Sequence, residues 1–207
     1  MTVGVIYVMG PSGVGKDSLL NWLRAHVRAL PSPPALRFAR RTITRAAGIS
    51  NEDHESLAVD AFLQLEQSGA FALHWQAHGL HYGVRQAEMQ GPGWLMVNGS
   101  RAYAAQARTR LPGLTVLHVS APDALVGQRL AARQRETPDQ VQARLHRAKA
   151  QSVDMEPGDL HIVNAGSLQD TALTLCQVLQ ARTGLHLLQA EASPSVKAGI
   201  QVNCFDQ

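Results

Sequence analysis

Apolar positions along this chain fall into two kinds of stretch. Some are short runs of consecutive apolar residues; others repeat an apolar residue every three or four places. Val3-Gly4-Val5-Ile6-Tyr7-Val8-Met9 is of the first kind, and Ser18-Leu19-Leu20-Asn21-Trp22-Leu23 opens a stretch of the second. Further runs stand at 94–97, 114–120 and 161–164, and helical stretches at 101–110, after Pro122 and at 167–182. Runs alternating with helical stretches predict an α/β fold, a parallel sheet with helices on both faces.

Two regions interrupt this pattern. After Pro31-Ser32-Pro33-Pro34, residues 36–41 read as a second strand, but 42–85 look like a small inserted subdomain. That subdomain holds a polar loop at 48–55, a short helix near 60–67 and strand-like pieces at 71–75 and 81–84. Later, Arg133-Gln134-Arg135-Glu136 ends one helix and Thr137-Pro138-Asp139-Gln140 restarts another, with a capping-box spacing and proline just inside. A basic break between helices suits a lid over phosphates, at about 129–147. From Gly184 onward no period is evident, so 1–183 reads as one domain and 184–207 as a tail.

Composition narrows the class without naming a chemistry. The 207 residues are 45% hydrophobic and 17% charged, as expected of a globular protein with a real core. No apolar run approaches the roughly 18 residues of a membrane span, and the N-terminus reads without a basic leader, which places the protein in the cytoplasm. Cys176 and Cys204 suggest neither a disulfide framework nor a zinc site. Between Arg101 and Lys149 there are nine basic residues against three acidic ones. They are spaced singly without interleaved aromatics, so a small phosphate-rich substrate explains them as well as nucleic acid does.

The chemistry-bearing stretch is Gly10-Pro11-Ser12-Gly13-Val14-Gly15-Lys16-Asp17-Ser18. It joins the first run to the first helical stretch, the context of a phosphate-binding loop. Glycines let several N–H groups turn toward one anion, the helix N-terminus adds to the field, and Lys16 brings an ammonium to the β- and γ-phosphates. The position after the lysine is normally Ser or Thr, whose hydroxyl binds Mg²⁺; here it is Asp17, with Ser18 next. An ordinary Gly-rich turn with Asp17 favoured by the helix dipole is the alternative. Strand, spacing, lysine and helix together favour the phosphate-binding loop.

From Gly10 to about Arg182 the chain resembles the guanylate kinase family of P-loop kinases. The loop resembles that family's Gly-Pro-Ser-Gly-x-Gly-Lys signature, and Thr44-Arg45 its Thr-Arg pair, whose arginine binds the acceptor phosphate. Gly69-Ala70-Phe71 and His78-Gly79-Leu80-His81-Tyr82-Gly83 resemble the element whose tyrosine touches that phosphate. Arg129-Leu130, Arg133 and Arg144-Leu145 resemble the lid with its phosphate-binding arginines.

The departures are informative. A glutamate that contacts guanine is replaced by Leu73, an aspartate ending the next strand by Asn98, and a Pro-Arg-Pro-Gly-Glu stretch by Ala46 through Glu52. A pocket without those carboxylates lacks acceptors for guanine's N–H donors. Gly15-Lys16-Asp17-Ser18, Ile43-Thr44-Arg45 and Val97-Asn98-Gly99-Ser100-Arg101 are instead similar to the ribose 1,5-bisphosphate phosphokinases of bacterial phosphonate breakdown. Those enzymes move the γ-phosphoryl group of ATP onto ribose 1,5-bisphosphate, giving 5-phosphoribosyl 1-diphosphate.

That resemblance implies roles. Lys16, Arg129 and Arg133 neutralise charge on the transferring group. The loop from Gly10 to Ser18 binds ATP, with Asp17 and Ser18 organising Mg²⁺. Arg45, Tyr82, Asn98 and Arg101 hold the acceptor. Asn164 ends a strand where the family places adenine-side contacts. His74, His78 and His81 invite a zinc reading, but Trp75, Gly79 and Tyr82 read as strand and turn, not the helix that their spacing needs. A guanylate kinase with an altered pocket and a non-catalytic binding module are the competing classes. The intact Gly15-Lys16 speaks against the module. A small phosphorylated sugar, and neither nucleic acid nor membrane, is the expected partner.

Overall fold

The computed structural model describes residues 3–46, 53–132 and 155–188. Its elements in order are β1 (Gly4–Met9), α1 (Lys16–Ala29), β2 (Leu36–Phe38), β3 (Arg41–Ile43), β4 (His54–Ser56), α2 (Val59–Gln67), β5 (Phe71–Ala77) and β6 (Leu80–Arg85). Then come β7 (Trp94–Asn98), α3 (Ala104–Arg110), β8 (Thr115–Ser120), α4 (Asp123–Ala132), β9 (Leu160–Val163) and α5 (Leu168–Thr183). A five-stranded sheet has the order β2-β7-β1-β8-β9, and a four-stranded sheet the order β4-β3-β6-β5. The α/β class expected from the alternation is what forms.

The chain divides into two compact units. One comprises Met1–Tyr7 and Ala35–Leu114, the other Val8–Pro34 and Thr115–Gln207, so β1 contributes residues to both.

In the first unit, β2 runs parallel to β7, with Leu36 opposite Trp94 and Phe38 opposite Met96. The expected strand at 36–41 is in fact two strands in different sheets. Ala39 N–H still donates to Met96 O, then the exposed Arg40 breaks the line and Arg41 starts β3. The second sheet is built on a tight hairpin. His78 and Gly79 have φ of 53° and 73°, the left-handed pair that a two-residue turn between twisted strands requires. Trp75 and Tyr82 therefore face each other across β5 and β6.

The expected polar loop at 48–55 is corrected at its end. His54 and Glu55 belong to β4, which lies parallel to β3 with Thr42 opposite Glu55. This three-residue polar strand has no apolar alternation; Thr42 and Arg85 hydrogen-bond Glu55 and hold it in register. Residues 48–52 of that loop lie outside the described residues. The helix expected at 101–110 begins with a 3-10 turn, Arg101–Tyr103, before α3.

In the second unit, α1 buries Leu19, Leu20, Leu23 and Val27. β8 and β9 pair in parallel, with His118 opposite His161 and Ser120 opposite Val163. α5 is capped at both ends. Ser167 Oγ accepts from Asp170 N–H at 3.1 Å, and Gly184 takes the left-handed conformation that closes the C-terminus. The tail expected from Gly184 is anchored at its start. Leu187 is fully buried, its carbonyl accepts from His26 Nε2 at 2.8 Å, and its N–H donates to Gln180 Oε1. The restarted helix at Thr137 and most of the expected lid lie outside the described residues.

Candidate active site

The turn between β1 and α1 has the geometry of an anion cradle. Gly13 and Gly15 have φ of 90° and 88°, a region that side chains make costly, and Gly15 caps α1 directly. A Cβ on Gly10 would collide with Val119 O, so the backbone of β8 approaches too closely for any other residue there. Lys16 opens α1 with its side chain 16% exposed, and its Nζ stands 3.4 Å from Asp17 Oδ1. Asp17 and Ser18 are both exposed in the first helical turn. Ser12 is exposed and Pro11 partly so, whereas Val14 is buried, its carbonyl taken up by side chains behind the loop.

Arg129, in the last turn of α4, belongs to that backing. Its Nη1 donates to Val14 O at 3.2 Å and to Asn164 O at 3.4 Å. Asn164, expected near the adenine side, joins the same backing. Its side chain is buried, with Nδ2 donating to Val14 O at 2.7 Å and Oδ1 accepting from Thr171 at 3.2 Å. Arg133 lies outside the described residues.

The first unit gathers the residues expected from the sequence to hold the acceptor. Arg45 Nη2 donates to the Tyr82 hydroxyl at 3.3 Å. The Tyr82 ring stacks on Trp75 with centroids 5.6 Å apart and planes 4° from parallel, and Trp75 also stacks on Tyr103 at 5.5 Å. The Arg41 guanidinium lies 5.1 Å from the Tyr82 centroid and donates to Asn98 O at 2.9 Å. Arg41 thus ties Asn98, at the end of β7, to Tyr82 on β6. Beyond Asn98, the Ser100 backbone is held by the Tyr7 hydroxyl, and Arg101 follows. Burial pulls the Arg101 guanidinium below its ordinary pKa, which still leaves it charged at neutral pH.

Leu73 is fully buried in β5, so an apolar core residue stands where the guanylate kinase resemblance places a guanine-binding carboxylate. The histidines of the zinc reading have other partners. His74 Nδ1 is 3.0 Å from Glu66 Oε1, and burial, helped by the charge of Arg110, lowers its pKa despite Glu66. The His81 ring contacts the Gln76 amide, and His78 forms the hairpin turn.

Among curated proteins, the ribose 1,5-bisphosphate phosphokinase PhnN of Burkholderia pseudomallei is 40% identical over 179 residues, covering 85% of this chain and 95% of the relative. The protein of the same name from Pseudomonas paraeruginosa is 41% identical over 184 residues, covering 84% and 94%. The chain belongs to the ribose 1,5-bisphosphate phosphokinase family. A relative from Azorhizobium caulinodans, named as a bifunctional ribose 1,5-bisphosphokinase-thymidine phosphorylase, is 42% identical over 144 residues, 68% of this chain and 20% of that one. No family model matches the chain. Among solved structures, guanylate kinase from Anaplasma phagocytophilum matches with a TM-score of 0.59 at 18% identity, covering 88% of this chain and 87% of that one. That likeness establishes a guanylate kinase-like P-loop fold.

In this member of the family, motif reading reaches Lys16, Arg45, Tyr82 and Arg101 but passes over Arg41, Tyr7 and Thr171. Arg41 carries no local motif; its burial in the triplet Arg41-Thr42-Ile43, which calls for a partner inside the fold, is visible only in the structure. Nothing in the sequence singles out Tyr7 from its apolar neighbours.

Proposed function

We propose that this protein transfers the γ-phosphoryl group of ATP to the 1-phosphate of ribose 1,5-bisphosphate, giving 5-phosphoribosyl 1-diphosphate, as a cytoplasmic enzyme of phosphonate breakdown. The observation that carries this reading is the acceptor half: Arg45, Tyr82 and Arg101 offer phosphate contacts, while Leu73, fully buried in β5, offers no acceptor for a base. The names of the relatives point to the same substrate.

An oxygen of the 1-phosphate attacks the γ-phosphorus, and the bond from that phosphorus to the β–γ bridging oxygen breaks, releasing ADP. The attacking oxygen is already ionised near neutral pH, so no general base is required, and catalysis reduces to alignment and charge neutralisation. The Gly10–Lys16 backbone, free of side chains at Gly13 and Gly15, fits the phosphates of ATP, and Lys16 counters their charge. Asp17 and Ser18 offer the hard oxygens that Mg²⁺ takes, and the ion when bound supplies further neutralisation of the phosphates. Arg45 and Tyr82 hold the acceptor phosphate. Arg101 adds a cation suited to a substrate with two phosphates. Arg133 is assigned to the transferring group. Arg129 acts from behind the loop, by its bonds to Val14 O and Asn164 O.

Turnover with ribose 1,5-bisphosphate and with GMP, side by side, tests this. Two guanine donors left unpaired cost roughly 1–3 kcal/mol each, so the sugar should exceed GMP by at least about a hundredfold in kcat/KM. Arg101→Ala should impair use of the sugar far more than it changes ATP binding. Comparable turnover of GMP by the unmodified protein would restore the nucleotide-kinase assignment.

A further inference from the structure

We infer that Asn164 and Thr171 are positioning residues that set the phosphate-binding loop, an inference resting on the kinase reading above. Asn164 follows β9 and is 3% exposed. Its Nδ2 donates to Val14 O at 2.7 Å, and its Oδ1 accepts from Thr171 Oγ1 at 3.2 Å. Thr171 is itself buried, in the first turn of α5. The carboxamide has one workable orientation: turned over, its oxygen would face the Val14 carbonyl, two acceptors with no proton between them.

The consequence for the loop follows from peptide geometry. A trans peptide points its C=O and N–H in opposite directions. With Val14 O drawn toward Asn164 Nδ2 and Arg129 Nη1, the N–H of Gly15 is aimed away from both. An anion-binding loop depends on that choice, because a flipped peptide presents a carbonyl to the phosphate in place of a donor. Gly15 and Asn164 are fitted to each other as well. A Cβ at position 15 would lie 2.5 Å from Asn164 Nδ2, so Gly15 is needed both for its φ of 88° and for the approach of the amide. Thr171 locks the carboxamide, the carboxamide locks the Val14–Gly15 peptide, and that peptide leads directly into Lys16. None of this is written in the Gly-rich pattern, because both positioning residues come from the far end of the chain.

The test compares Thr171→Val, Thr171→Ser and Asn164→Ala in the full-length protein. Affinity for Mg-ATP is read by titration calorimetry and KM for ribose 1,5-bisphosphate by steady-state kinetics. Thr171→Val keeps the shape but removes the lock, and should weaken Mg-ATP by about tenfold, the scale of one buried hydrogen bond lost. Thr171→Ser restores the hydroxyl and should bind as the unmodified protein does. Asn164→Ala should weaken Mg-ATP at least as much as Thr171→Val, and none of the three should raise the acceptor KM. Should Asn164→Ala fail to fold, the threonine pair decides alone. Unchanged Mg-ATP affinity in Thr171→Val, equal weakening in Thr171→Ser, or a matching rise in acceptor KM would each overturn the inference. Absence of Mg-ATP binding by the unmodified protein would instead overturn the kinase reading, and this inference with it.

Discussion

The Tyr7 hydroxyl donates to Ser100 O at 3.0 Å and accepts from Ser100 N–H at 2.8 Å, so one side chain on β1 satisfies both backbone groups of a residue 93 positions away. Burial raises the phenol's pKa above its ordinary value, and the group stays neutral and able to donate across the working range. The ring beneath it leaves no room for a side chain on Gly99. Tyr7→Phe keeps the ring and removes both bonds. It should lower unfolding free energy by about 1–3 kcal/mol, by analogy with other buried groups left unsatisfied. Acceptor KM should rise severalfold while Mg-ATP affinity holds. Denaturant unfolding and steady-state kinetics check the two halves; an unchanged KM would show that the turn before Arg101 holds its own shape.

Lys16→Ala should reduce turnover by orders of magnitude and leave the fold intact. The ammonium is partly exposed and adjoins Asp17, so its removal opens no core cavity. The role proposed for it is electrostatic, at the transferring phosphoryl group. Circular dichroism with single-turnover kinetics under saturating ATP is the check, and near-normal turnover would remove the loop from the active site.

Glu55 makes the first unit sensitive to acid. Arg85 donates to its two oxygens at 2.8 and 3.1 Å and Thr42 donates at 2.6 Å, and the Arg85 bonds above all hold its carboxyl below the usual range. A carboxyl with a lower pKa when folded adds stability above the ordinary glutamate value of about 4.3 and loses it as pH falls through the folded value. Glu55→Gln should therefore differ most from the unmodified protein above about pH 4.5, and the gap should close at lower pH. Urea unfolding at stepped pH measures this; a gap constant down to pH 3 would exclude the ion pair as its source.

Truncation should distinguish two boundaries in the tail. Ending the chain after Leu188 keeps Leu187 and its contacts to His26 and Gln180. Ending it after Thr183 removes a fully buried leucine and should cost about 2–5 kcal/mol, as large-to-small core changes do. Thermal unfolding of both products gives the comparison, and equal stability would show that Leu187 contributes no net packing.

These expectations mix residues that are readable in the sequence with residues that are not. The loop at Gly10–Ser18 is readable because glycines, lysine and helix sit side by side. Arg45 and Tyr82 are readable because each carries a short local motif, and the structure joins them at 3.3 Å. Arg41 is harder, since Arg40 beside it is exposed and paired with Asp53, whereas Arg41 is 8% exposed. Arg40 lies between β2 and β3 while Arg41 opens β3, whose three residues are all buried, and sequence alone does not fix that boundary. β4 was missed for a related reason: His54-Glu55-Ser56 is polar throughout, and its place comes from hydrogen bonds to residues 13 and 30 positions away. Asn164 stands where the family resemblance places adenine-side contacts; its burial and its bond to Val14 O are not legible in the sequence.

The bracing of the loop also fixes an order of events during synthesis. The Gly10–Ser18 stretch is made well before its braces: Arg129 follows Val14 by 115 positions and Asn164 by 150, with Thr171 later still. A nascent chain that has completed residues 1–114 holds every segment of the first unit, yet only the opening segment of the second. Nucleotide affinity should therefore be absent from every ribosome-bound fragment that stops short of α5, however well its earlier portion has folded. It should arise abruptly, once α5 clears the exit tunnel. Stalled chains of graded length, probed with a fluorescent ATP analogue, would show that step.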